Sequence, residues 1–167
     1  MSRHPSACWH LLAGSTGAGK STMARDLAQR MSAVRFSIDE WMSALYWMDC
    51  PLKNDLPWAL DRIERCEAQM EAAAVQLAQI GVDAVFDLGF TQVAQRMAWL
   101  DRAKRAGVRC ELHVLDVPQE IRWLRVRKRN RDESETFSFE VTREMFDFME
   151  QRWELPDEEE LAKFSAS

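Results

Sequence analysis

The sequence is poor in the features that mark membrane, secreted or nucleic-acid-binding chains. No apolar run approaches the roughly 20 residues of a membrane span. Behind Met1 to Pro5 there is no signal-peptide core, because the next apolar run leads straight into a glycine-rich loop; a cytoplasmic protein is expected. Cys8, Cys50, Cys66 and Cys110 are scattered without a C-x-x-C pair, which reads as reduced thiols. The three histidines do not cluster along the chain, so a zinc site is not expected. With 22 Lys and Arg against 27 Asp and Glu, the net charge is -5, which gives no general attraction for nucleic acid or acidic membranes. Repeats, low-complexity tracts and linkers are also missing, and 167 residues read as a single domain, 1–167. The oligomeric state is not legible.

What is there begins at "GSTGAGKST", residues 14–22. Gly14, Gly19, Lys20 and Ser21 fit G-x-x-x-x-G-K-[ST], with Gly17 extra. Glycines let successive N–H groups turn inward on an anion, Lys20 brings a point charge to the outer phosphates, and the Ser21 hydroxyl suits Mg²⁺. The stretch Gly14, Ser15, Thr16, Gly17, Ala18, Gly19, Lys20, Ser21 and Thr22 is therefore the expected nucleotide cradle. Its context agrees. Ala7 to Leu12 is a short apolar run, as a buried strand would be, and Met23, Leu27 and Met31 recur at helical spacing behind it.

Further along, strands and helices alternate. Val34–Ile38 reads as a second strand ending at Asp39. A helix from about Pro57 to Gly81 carries Leu60, Ile63, Cys66, Met70, Ala74 and Leu77 inward. Val82–Phe86 is a third strand ending at Asp87, and Thr91 is placed to cap a helix with Met97 and Leu100 inward, closed by Gly107. Val108–Leu115 is a fourth strand. Pro118 opens a helix with Ile121 and Leu124, and a last helix from about Phe139 to Arg152 has Val141, Met145, Phe148 and Met149 as its apolar stripe. This pattern predicts a three-layer α/β/α domain with a mostly parallel sheet of four to five strands. Ligands of such sheets sit outside the carboxyl ends of the strands, so the glycine-rich loop, Asp39 and Asp87 should meet at one rim.

Asp87, after an apolar strand, fits an acid that holds Mg²⁺ directly or through water; an ordinary turn or capping aspartate is the alternative. The next residue, Leu88, stands where ATP-hydrolysing machines commonly place a water-activating glutamate. Asp39 could accept the proton of a substrate hydroxyl, or could simply cap the helix behind it. In "RWLRVRKRNRD", helical spacing sets Arg122, Arg125 and Arg129 near one another. They suit a lid over a phosphoryl group, although a charge run is often just a solvated face. Trp41, Tyr46, Trp47 and Trp58 follow Asp39 and could line an acceptor pocket, Trp41 first, or belong to the core.

Together "GSTGAGKST", "FSIDEWM", "VFDLGFT" and "RVRKRNRDESETFSFEVTREMFDFMEQRWELPDEEE" resemble the small bacterial P-loop kinases grouped as AAA-family ATPases or ATP-binding proteins. Chloramphenicol phosphotransferase and the zeta toxins are more distant members of that class. The similarity runs from about Cys8 to Glu160. It implies an adenylate-kinase-like P-loop NTPase core with a helical lid at about 118–138, ATP and Mg²⁺ as cofactors, and phosphoryl transfer to a hydroxyl. It puts the base or acceptor-binding role on Asp39 and lid contacts on Arg125 and Arg129. It also makes Arg96 a candidate for the acceptor, with a solvated helix position equally open. Related kinases commonly have a fifth strand after the lid, for which little sequence is left here.

The expected function is a kinase passing the ATP γ-phosphate to a small-molecule hydroxyl. The alternatives are a 5′-hydroxyl nucleic-acid kinase, against which the net acidity argues mildly, and an ATP-dependent binding or switch protein without an acceptor. An N-K-x-D pattern is absent, which argues against a GTPase switch.

Overall fold

The computed structural model describes residues 7–51, 55–132 and 140–166. Phe139, Met1 to Pro5 and residues 133–138 of the expected lid lie outside them. The chain runs β1 (Cys8–Ala13), α1 (Lys20–Met31), β2 (Val34–Ser37), α2 (Ile38–Leu45), a 3-10 turn (Trp47–Asp49), α3 (Leu56–Gln79), β3 (Ala84–Asp87), α4 (Val93–Ala106), β4 (Arg109–Val114), α5 (Gln119–Asp132), α6 (Arg143–Glu150) and α7 (Glu158–Ser165).

The four strands pair in the order β2-β3-β1-β4, all parallel. β1 is central and buried along its whole length, as its unbroken apolar run requires. Alternate residues serve two layers. Trp9, Leu11 and Ala13 join the larger core with α3, α4 and α7, where Phe86 lies against Trp99 with ring centroids 4.6 Å apart. Leu12 and Val85 turn to the other face and meet Ala24 and Leu27 of α1. A third cluster, Val126, Val141 and Phe146 with Trp123, ties α5 to α6. The Asn130 amide reinforces it, donating to Val141 O at 2.8 Å and accepting from Val141 N at 3.2 Å.

Several boundaries differ from the sequence reading, each for a local reason. β2 stops at Ser37, whose hydroxyl accepts from Glu40 N at 3.4 Å and caps α2, so Asp39 lies in the first turn of α2 and is not its cap. Thr91 does not cap α4. Gln92 holds that position without a side-chain bond, and the Glu154 carboxylate accepts from Val93 N at 2.7 Å. On α3, Asp55 is the cap, and Leu60 points to solvent while Ala59 is buried. On α5, Ile121 and Leu124 are exposed and Arg122 and Val126 are buried. On α6, Phe146 faces inward while Phe148 is half exposed.

The segment after the lid, where related kinases commonly have a fifth strand, is a helix here. Asp157 caps α7 by accepting from Glu160 N at 2.8 Å, and Phe164 enters the main core. No fifth strand joins the sheet among the described residues.

Candidate active site

The loop after β1 is built around close approaches that only glycine allows. Gly17 has φ +81°, and a Cβ there would lie 2.6 Å from the Arg122 carbonyl oxygen, so α5 rests directly on the loop. Gly19 has φ +101° and opens α1 with no side chain competing for the helix's first N–H groups. Those groups and the positive end of the helix face the cleft, as an anion site requires. The Lys20 ammonium folds over the loop, donating to Gly14 O at 2.8 Å and Ser15 O at 3.1 Å.

The cleft in front of this loop has a volume of about 590 Å³. Three elements besides the loop supply its polar groups: Asp39 from the start of α2, Asp87 from the end of β3, and Arg125, Lys128 and Arg129 from α5. β2 and β3 pair Ser37 with Asp87, which carries Asp39 to the same rim. Thr16, Ser21 and Thr22 line the cleft as well, whereas Ser15 is buried behind it and donates to Glu150. Met145 and Met149 of α6 face the cleft, which is where much of that helix's apolar stripe goes.

The charges are mutually dependent. Asp39 opens to the water of the cleft, but the surrounding protein withholds part of its solvation and holds its carboxyl above the usual range. Asp87 adds to this, while Lys20 and Arg129 oppose it. Desolvation lowers Lys20, opposed first by Asp87 and then by Asp39. Arg129 is likewise lowered by desolvation and opposed by Asp39. Its Nε is buried without a hydrogen-bond partner among the described residues, at the edge of a cleft made for an anion.

Three expected site residues sit elsewhere. Arg96 is wholly buried; Nη2 donates to Glu160 Oε2 at 2.9 Å and Nη1 to Phe90 O at 3.0 Å. Its guanidinium is committed inside the fold and does not line the cleft, which corrects its reading as an acceptor contact. Trp41 packs on the main core, edge-on to Phe36 at 6.2 Å between centroids, and is not part of the cleft wall. Arg122 is an anchor: it donates to Val117 O at 2.7 Å, to Thr16 O at 3.2 Å and to Glu150 Oε2 at 2.6 Å.

Lys128, Thr91 and Ile63 also line the cleft, and the sequence reading passed them over. Lys128 carried a signal, since Arg125, Lys128, Arg129 and Asp132 recur at i, i+3, i+4 and i+7, one face of a helix. Thr91 and Ile63 carried none. Ser21 and the buried Asp87 line the same cleft and could hold a hard cation there.

A family profile described as an AAA domain matches residues 10–156. A search of curated proteins finds no match. Among solved structures, the fold is similar to a chain of the Pnkp1/Rnl/Hen1 RNA repair complex, with a TM-score of 0.66 and 17% identity over 98% of this chain. This protein spans only 46% of that chain's length. A candidate kinase from Chloroflexus aurantiacus is similar with a TM-score of 0.69 and 12% identity, over 90% of this chain and 79% of the other. Kti12 of Chaetomium thermophilum, in complex with ADP-AlF3, is similar with a TM-score of 0.66 and 16% identity, over 89% and 81%. These likenesses establish a P-loop, kinase-like fold. By the extent of the profile match, the chain belongs to the AAA domain family.

Proposed function

We propose that this protein is an ATP- and Mg²⁺-dependent phosphotransferase that passes the γ-phosphate to a hydroxyl of a small-molecule acceptor. It would belong to the broad class that includes chloramphenicol phosphotransferase and the zeta toxins. The observation that carries the reading is the grouping of Lys20, Asp39 and Arg129 in one partly desolvated cleft, with Asp39 held above its usual range. A carboxylate raised in this way is a better proton acceptor, and it stands across from the cations that would receive the phosphates.

In this reading the loop N–H groups and the start of α1 hold the β-phosphate, and Lys20 leaves the loop carbonyls to reach the outer phosphates. Arg125 and Arg129 cover the transferring group and exclude water, while Asp39 orients the acceptor hydroxyl and takes its proton. Ser21 and Asp87 would hold Mg²⁺, which neutralises phosphate charge when bound. Leu88, buried at the cleft wall, stands directly after Asp87 where ATP-hydrolysing machines commonly place a glutamate, which fits a transferase better than such a machine.

The test is incubation with γ-labelled ATP and Mg²⁺ against pooled acceptors: aminoglycosides, chloramphenicol, nucleosides, UDP-sugars and 5′-hydroxyl oligonucleotides. Label in one small-molecule pool, lost in Asp39→Asn and with nucleotide binding lost in Lys20→Ala, supports the proposal. Label only in the oligonucleotides supports a nucleic-acid kinase. Tight ATP binding without transfer to any pool supports a nucleotide-dependent binding protein.

A further inference from the structure

Along the face of β1 that carries Cys8, His10 and Leu12 lies a second cluster of reactive side chains. Cys8 and His10 are two residues apart on the central strand, so their side chains share a face. β4 runs alongside in register, His10 opposite Glu111 and Leu12 opposite His113, and brings two more donors to that face. The histidines that are far apart in sequence therefore meet: His10 Nδ1 lies 3.0 Å from His113 Nε2. Cys8, His10 and Glu111 each offer one donor atom, all within 4.8 Å of one another. His10 Nδ1 also lies 3.6 Å from Glu111 Oε2.

The other ring nitrogen supplies an independent observation. His10 is 1% exposed, and its Nε2 is buried with no hydrogen-bond partner among the described residues. It faces the Asp83 carboxylate at 3.7 Å, just beyond bonding range, and the other oxygen of Asp83 is fixed by Cys8 N at 2.7 Å. Metal-bound histidines usually donate their second ring N–H to a carboxylate in this way.

We propose that Cys8, His10, Glu111 and His113 form a site for a thiophilic divalent cation such as Zn²⁺, with Asp83 orienting His10 from behind. The donor set of one thiolate, one carboxylate and two imidazoles is one that zinc accepts, and it neutralises the ion's two charges. Two nitrogens about 2.05 Å from a tetrahedral ion stand about 3.3 Å apart, close to the His10–His113 spacing. His113 stands outside the group formed by Cys8, His10 and Glu111, so its ring has to draw in toward them to become the fourth ligand. On binding, two metal–nitrogen bonds replace the His10–His113 hydrogen bond, the bridging proton passing by way of solvent from His113 Nε2 to Nδ1 of the same ring, and the Cys8 thiol forms its metal–sulfur bond by releasing a proton to solvent. Glu111, about half exposed, gives the ion its way in. None of these residues lines the nucleotide cleft. The site ties edge strand β4 to the central strand and is independent of the proposed transfer reaction.

The test uses the full chain, stripped with chelator and kept free of nucleotide, titrated with Zn²⁺ and with Co²⁺. One equivalent should bind, and Co²⁺ should give a thiolate charge-transfer band that Cys8→Ser removes. Asp83→Asn should weaken binding by about 10–100-fold, and Glu111→Gln and His113→Gln by at least that much. Zn²⁺ should raise the unfolding temperature of the wild type and not of Glu111→Gln. No uptake, or affinity unchanged in both Glu111→Gln and His113→Gln, overturns the site. Should Cys8→Ser fail to fold, the variants on β4 decide the matter. ATP binding measured on the same stripped protein keeps failure here distinct from failure of the kinase reading.

Discussion

Arg122 and Glu150 meet at 2.6 Å, and the same carboxylate oxygen accepts the Ser15 hydroxyl at 3.2 Å. One glutamate of α6 thus fixes both the helix that lies on the phosphate loop and the loop itself. Glu150→Ala leaves the buried Arg122 guanidinium short of its charged partner. We predict a loss of about 1.5–3 kcal/mol in urea unfolding, with weakened nucleotide binding by calorimetry.

Asp39→Asn keeps the shape of the cleft and removes the proposed proton acceptor. Nucleotide affinity should stay near wild type while kcat falls by about 10²–10⁴-fold. A base acts unprotonated, and this carboxyl lies above its usual 3.8. The acid limb of the rate profile should therefore have its midpoint above that value, with activity lost as pH falls through it. An unchanged rate in Asp39→Asn would leave the residue no part in transfer.

Arg129 is a cation held at the cleft with its Nε unpartnered among the described residues. Arg129→Met should lower kcat by about 10²–10³-fold, more than it weakens ground-state nucleotide binding, because in the proposed reaction its partner is the charge that develops during transfer. Equal losses in binding and kcat/KM would assign it to ground-state binding alone.

Arg96 and Glu160 form a buried ion pair between α4 and α7. Arg96→Met strands the Glu160 carboxylate and should cost about 3–5 kcal/mol of stability, while the double variant Arg96→Met/Glu160→Met recovers much of it. Neither change should shift the acceptor KM in protein that remains folded. A selective KM effect at unchanged stability would return Arg96 to the substrate.

The phosphate loop was legible because its chemistry is local, with glycine, lysine and serine at fixed spacing between a strand and a helix. Asp39 and Asp87 were legible because parallel strands end at one rim. The misreadings have a common physical cause. Arginine and glutamate can be buried when they satisfy each other, so Arg122 and Arg96 were taken for solvent- or ligand-facing residues while Ile121 and Leu124 were taken for core. The closing helix α7 was hidden for the same reason, since Glu160, in an acidic run that looks wholly solvated, is one of its buried residues. The meeting of His10 with His113 depends on the register of β1 with β4, which no spacing along the chain encodes.

The contact of Gly17 with the backbone of Arg122 has a mechanical consequence. The space a side chain would need at position 17 is filled by the backbone of Arg122 and the side chain of Val126, so a substitution there has to displace the phosphate loop or α5. One glycine thereby sets the distance between the loop and the helix that carries Arg125 and Arg129.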